Sequence, residues 1–133
     1  MESPPDNQTE DQPKVMLNLV VIRSSDIERA AQFYRRLGVT FVKHRHGSGL
    51  EHYAVELGPM VFEIYPRNED DGSNAVRLGF RVDDVEIVMN NLRATGTKIV
   101  SEPKASPWGR RAVAEDPDGH RVELTERGTT AEA

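Results

Sequence analysis

The chain states one pattern twice, at an offset of 58 residues, and this repetition limits the fold more than any other feature of its 133 residues. Val15 to Ile22 is a β-rich run, followed by Ser25-Asp26-Ile27-Glu28, which fits a capping box with Ser25 as N-cap and Glu28 three residues on. Ile27, Ala30, Ala31, Tyr34 and Leu37 then recur at helical spacing, and Gly38 ends the helix. Val76 to Val82, Asp83-Asp84-Val85-Glu86, the stripe Val85, Val88, Met89 and Leu92, and Gly96 repeat the arrangement. Val39 to Val42 pairs with Thr97 to Val100 as the strand after each helix. Each half closes on two further strands. These are His52 to Leu57 and Met60 to Tyr65 around Gly58-Pro59, then Arg110 to Glu115 and His120 to Thr125 around Asp116-Pro117-Asp118-Gly119. The expected fold class is α+β, with two βαβββ modules in tandem. Residues 15–65 form the first module, 66–75 a linker and 76–126 the second, together one domain. Residues 1–14, Pro-rich and acidic, and 127–133 hold too little apolar surface to offset ordering and are expected to be disordered arms.

A net charge of -5 with no basic patch argues against nucleic acid as a partner. The absence of cysteine excludes disulfides, thiolate zinc sites and a cysteine nucleophile. No apolar run is long enough to span a bilayer and no signal-peptide pattern is present, so a cytoplasmic location is expected, with no membrane partner.

Chemistry concentrates in Glu115 to Glu126. Pro117 presets φ at the second turn position and Gly119 supplies a positive φ at its end. Beyond the turn, Val122 and Leu124 share one strand face, and Glu123 shares the other with Arg121 and Thr125. A carboxylate between apolar residues of a late strand needs a partner, a ligand or water. Glu63 occupies the matching place in the first module, within Val61-Phe62-Glu63-Ile64.

Paired βαβββ modules with capped helices, ending in Asp116-Pro117-Asp118-Gly119 and Val122-Glu123-Leu124, resemble the vicinal oxygen chelate superfamily. That group includes glyoxalase I, bleomycin-resistance proteins, thiol transferases and extradiol dioxygenases. The resemblance runs from about Val15 to Glu126, supported by Ser25-Asp26-Ile27-Glu28 and Phe33-Tyr34. It implies curved mixed sheets around a cavity, pairing of chains as a homodimer, and a divalent metal between the sheets in catalytic members. The four ligand positions it implies are Leu19, Glu63, Arg77 and Glu123 here. Leu19 has no lone pair to offer, and the Arg77 guanidinium donates hydrogen bonds without accepting any. The expectation is a metal-free cavity in which Arg77 takes the place of the ion and bridges Glu63 and Glu123. A second possibility is that both acids are solvated on an open sheet face. A third is a divalent metal held by Glu63 and Glu123.

His52 is a candidate catalytic base or ligand contact near the cavity mouth, or a hydrogen-bonded sheet histidine. His44 and His46, among positive charge, and His120, after the turn, are expected to meet solvent. Trp108 and Arg110 sit on a loop entering a strand and are candidate ligand contacts, while Phe33-Tyr34 is assigned to packing. No nucleophile constellation, phosphate-cradling loop or HExxH motif occurs. Three functions follow: a metal-independent small-molecule binder, a metal-dependent lyase, transferase or dioxygenase using Glu63 and Glu123, or a non-catalytic dimeric accessory protein.

Overall fold

Asp26 and Asp84 begin the two helices. Each has an extended backbone, and each carboxylate accepts from the backbone N–H three residues on, Arg29 and Ile87 respectively, at 3.1 Å. The helices are α1 (Ile27–Arg35) and α2 (Val85–Arg93), and each has an acidic residue in its first turn and a basic one in its last. Gly38 and Gly96 follow them with φ of 110° and 79°, the left-handed conformation that releases the chain from a helix. The structure is a computed structural model that describes residues 17–45, 47–68 and 74–127. The expected arms lie almost wholly outside those residues, as do His46 and Glu69-Asp70-Asp71.

The described residues also form eight strands: β1 (Leu19–Ser24), β2 (Val42–His44), β3 (His52–Leu57), β4 (Met60–Pro66), β5 (Arg77–Val82), β6 (Lys98–Lys104), β7 (Arg111–Glu115) and β8 (Arg121–Glu126). They form two four-stranded mixed sheets, ordered β1-β4-β3-β2 and β5-β8-β7-β6, one per repeat. β1 lies parallel to β4 and β5 parallel to β8, while the other pairs are antiparallel. Each parallel pair needs a crossover, and the helix supplies it.

Period-2 alternation sorts the residues. Ile22, Phe62, Ile64, Val122 and Leu124 turn inward to meet Tyr34, Met89 and Leu92 of the helices, and all are essentially buried. Tyr34 sits between the modules. Its ring packs on Phe33, Phe62 and Phe80 at centroid distances of 4.8, 5.2 and 5.8 Å, and Phe62 meets Phe80 at 6.0 Å.

The Asp116 to His120 turn reaches across that junction. Tyr34 Oη donates to Asp116 Oδ2 at 2.6 Å, and His120 Nδ1 contacts the same oxygen at 2.7 Å. The backbone N–H groups of Asp118 and His120 donate to Oδ1 at 2.8 and 2.9 Å. Burial raises the Asp116 pKa, but the bonds from His120 and Tyr34 outweigh it and hold the carboxyl below its ordinary value. Asp116 is therefore ionised at neutral pH, and His120 Nδ1 must carry the donated hydrogen. Burial first, and then the Asp116 charge, push the Tyr34 phenol well above its ordinary pKa.

This corrects two expectations. His120 is fully buried instead of meeting solvent, because Asp116 lies within reach of its ring. Ser25 is not the N-cap: its N–H and hydroxyl both donate to Asp118 Oδ1, at 2.9 and 3.0 Å, which leaves capping to Asp26. Glu28 does not close a capping box either. Its carboxylate accepts from Lys43 Nζ and Tyr53 Oη, each at 2.6 Å.

Candidate functional site

The face of each sheet turned away from its helix carries the polar residues. On the first sheet the parallel register sets Leu19, Val21 and Arg23 beside Val61, Glu63 and Tyr65. The antiparallel register places Ala54 opposite Glu63, and His44 opposite His52. These contacts build a row across four strands. His44 stacks on His52 at 5.8 Å between centroids, His52 lies parallel to Tyr65 at 4.2 Å, and the Arg23 guanidinium stands over Tyr65 at 5.4 Å.

His52 is the buried member of this row at 2% exposure. Its Nδ1 lies 3.1 Å from the Leu50 carbonyl, which can only accept, so Nδ1 carries a hydrogen. Nε2 then faces Glu63 Oε2 at 4.0 Å, with the carboxylate about one-fifth exposed. That separation is longer than a hydrogen bond, so the imidazole and the carboxylate stand as neighbours that one ligand could contact together.

The open face of the second sheet is richer in charge. Glu123 accepts a close hydrogen bond from Arg111 Nε, and Arg77 Nε stands 3.8 Å from its other oxygen. Glu115 lies between Arg121 Nε at 3.4 Å and Lys98 Nζ at 3.7 Å. Gly79, the register partner of Glu123, leaves open space where a side chain would project. On the other, helix-facing side of the strands, where β1 and β4 approach β5, a cleft of about 320 Å³ is walled by Val20, Leu57, Met60, Phe62, Leu78 and Phe80.

A model of the Glyoxalase/Bleomycin resistance protein/Dioxygenase superfamily matches residues 16–124. The chain belongs to this superfamily. It is 31% identical to a protein of Arabidopsis thaliana named probable lactoylglutathione lyase, chloroplastic, over 85% of this chain and 36% of that one. It is 27% identical to a probable lactoylglutathione lyase of Synechocystis sp., over 78% of this chain and 89% of that protein. The chain spans under half the length of the Arabidopsis relatives it matches. Among solved structures, TnmS3, an antibiotic binding protein from Streptomyces sp. CB03234, superposes with a TM-score of 0.69 at 26% identity. That match covers 84% of this chain and 95% of TnmS3.

Within this superfamily the four positions weighed from sequence fall on the open sheet faces, but they do not converge. Among the described residues the acid beside Arg77 is Glu123, and the Arg77 side chain is 53% exposed, while Glu63 on the other sheet faces His52. The two-sided bridge expected of Arg77 therefore does not form within the chain, and Arg111 is the nearer partner of Glu123. Counting back from the turn would have found Arg111, since the hairpin pairs 115 with 121, 113 with 123 and 111 with 125. Tyr65 was equally findable, two residues beyond Glu63 on the same face.

Arg110 turns to the helix side instead, where Nε donates to Glu86 of α2 at 2.9 Å. Trp108 is 72% exposed on the loop before β7. His44 is half-buried against His52 and not a solvated strand end. The donor set within one chain does not fit a divalent metal. Leu19 and Arg77 cannot ligate, Glu123 is engaged by guanidinium groups, and no group of three potential ligands occurs among the described residues. No described helix is long and apolar enough to cross a membrane.

Proposed function

We propose that this chain is a metal-independent small-molecule-binding protein, cytoplasmic and paired as a homodimer, whose ligand lies against the open sheet faces. The observation that carries the proposal is the state of Glu123. Arg111 and Arg77 supply positive charge where catalytic relatives would bring an ion, so the carboxylate is compensated without metal. The exposed arginines 77 and 81, on one face of β5, suit an oxyanion of that ligand. The likeness to an antibiotic binding protein supports sequestration as the mode of action. Metal uptake tests it: dialysis against nickel, zinc, manganese or iron should leave substoichiometric metal and an unchanged melting temperature. Tight uptake lost in Glu63→Ala would overturn the proposal.

A second function, a lyase of the kind its plant and cyanobacterial relatives are named for, is favoured by the His52–Glu63 pair. There Glu63 or His52 would take a proton from the substrate. Turnover of lactoylglutathione that disappears in Glu63→Gln would establish this function, and its absence with and without added metal would leave binding.

A further inference from the structure

Between α1 and the second module lies a groove of about 290 Å³ that neither function above uses. Its α1 wall presents Arg29, Gln32 and Arg36, at spacings of three and four residues on one helix face. Neither Arg29 nor Arg36 makes a side-chain hydrogen bond or ion pair with any described residue. The two are two turns apart, ~10 Å along the axis, so their guanidinium forks can take two oxyanion groups of one compact molecule. Thr95, Thr97 and Lys98 line the facing wall, and the buried Phe33 ring contributes apolar surface. Of the two acids that line the groove, Glu115 is already balanced by Lys98 and Arg121, and Asp116 is consumed by Tyr34 and His120. The groove is thus left with two uncompensated cations in a chain whose net charge is -5.

We propose that this groove is a second ligand site that binds a small dianion carrying phosphate or carboxylate groups. Because its walls come from both modules, an occupant ties them together and raises the melting temperature. The site is independent of the sheet-face ligand and of any metal.

Inorganic pyrophosphate and succinate, titrated into the full chain at constant ionic strength, distinguish the two oxyanion sources by which binds more tightly. Saturable backbone amide shifts are expected at residues 29–36 and 94–98, with a rise in melting temperature. Arg29→Gln combined with Arg36→Gln should weaken binding at least about tenfold, as loss of two charge-assisted contacts requires. Both side chains are exposed, so the double variant keeps the fold. Arg67→Gln, which removes an exposed arginine outside the groove, should leave binding unchanged. Failure of both anions to saturate, affinity indifferent to the double variant, or an equal loss in Arg67→Gln would each overturn the site.

Discussion

Tyr34 and Asp116 form a buried pair in which one group is kept ionised and the other neutral, and the two ends of the pH range report on them separately. The folded Asp116 pKa is depressed, so its contribution is complete above the ordinary carboxylate value of 3.8 and disappears as pH falls through the lower folded value. The folded Tyr34 pKa is raised, so above the ordinary value of 10.0 the unfolded chain gives up a proton that the native chain retains, and stability falls as pH rises. Urea unfolding should therefore show an alkaline decline that is shallower in Tyr34→Phe, and an acid decline that is shallower in Asp116→Asn. At neutral pH Asp116→Asn should cost about 3 kcal/mol, since it sets an amide donor against Tyr34 and His120. The arginines of the open face differ from this pair because water reaches them. Arg77→Ala should cost less than about 1 kcal/mol, the usual ceiling for a half-exposed ion pair, and Arg111→Ala should cost more. Equal losses, or a larger one at Arg77, would restore Arg77 as the principal partner of Glu123.

The elements show which parts of the structure periodicity can reveal. β1 and β5 begin at residues 19 and 77, and the helices at 27 and 85, so both pairs keep the offset of 58. Alternation also placed Glu63 and Glu123 on open faces. What periodicity missed were contacts between modules. The bond that took Ser25 from its helix, to Asp118, is set by how one module docks on the other and no local pattern encodes it, whereas His120 is held by Asp116 within its own turn. Asp26→Ala should lower stability by about 1 kcal/mol through loss of the cap, whereas Ser25→Ala should act through the junction and be nearly silent in Asp118→Ala. A double-mutant cycle of Ser25 and Asp118 measures this, and full additivity would mean that the Ser25–Asp118 bond does not join the modules. Arg110 and Arg111 carry a related lesson. Adjacent residues on a strand face opposite ways, so choosing the wrong one of the pair exchanges a helix contact for a site contact.

At the scale of the whole molecule, β1, β2, β5 and β6 are sheet edges, and Leu19, Val42, Val76 and Val100 remain exposed. A second copy laid against these edges would cover apolar surface and bring another set of open faces near Glu63 and Glu123. Sedimentation should find a dimer whose melting temperature rises with concentration, and a monomer persisting over about a hundredfold range of concentration would refute it.

The bond from Tyr34 to Asp116 closes a separation of 82 residues, and that from Ser25 to Asp118 closes 93. A ribosome delivers the chain from its amino end, so the first helix waits, with its phenol unpaired, until nearly the last hairpin has emerged. The final turn is therefore the latch of the first module as well as the second. A nascent chain stalled short of it would display an opening module that is formed in outline yet open to proteolysis.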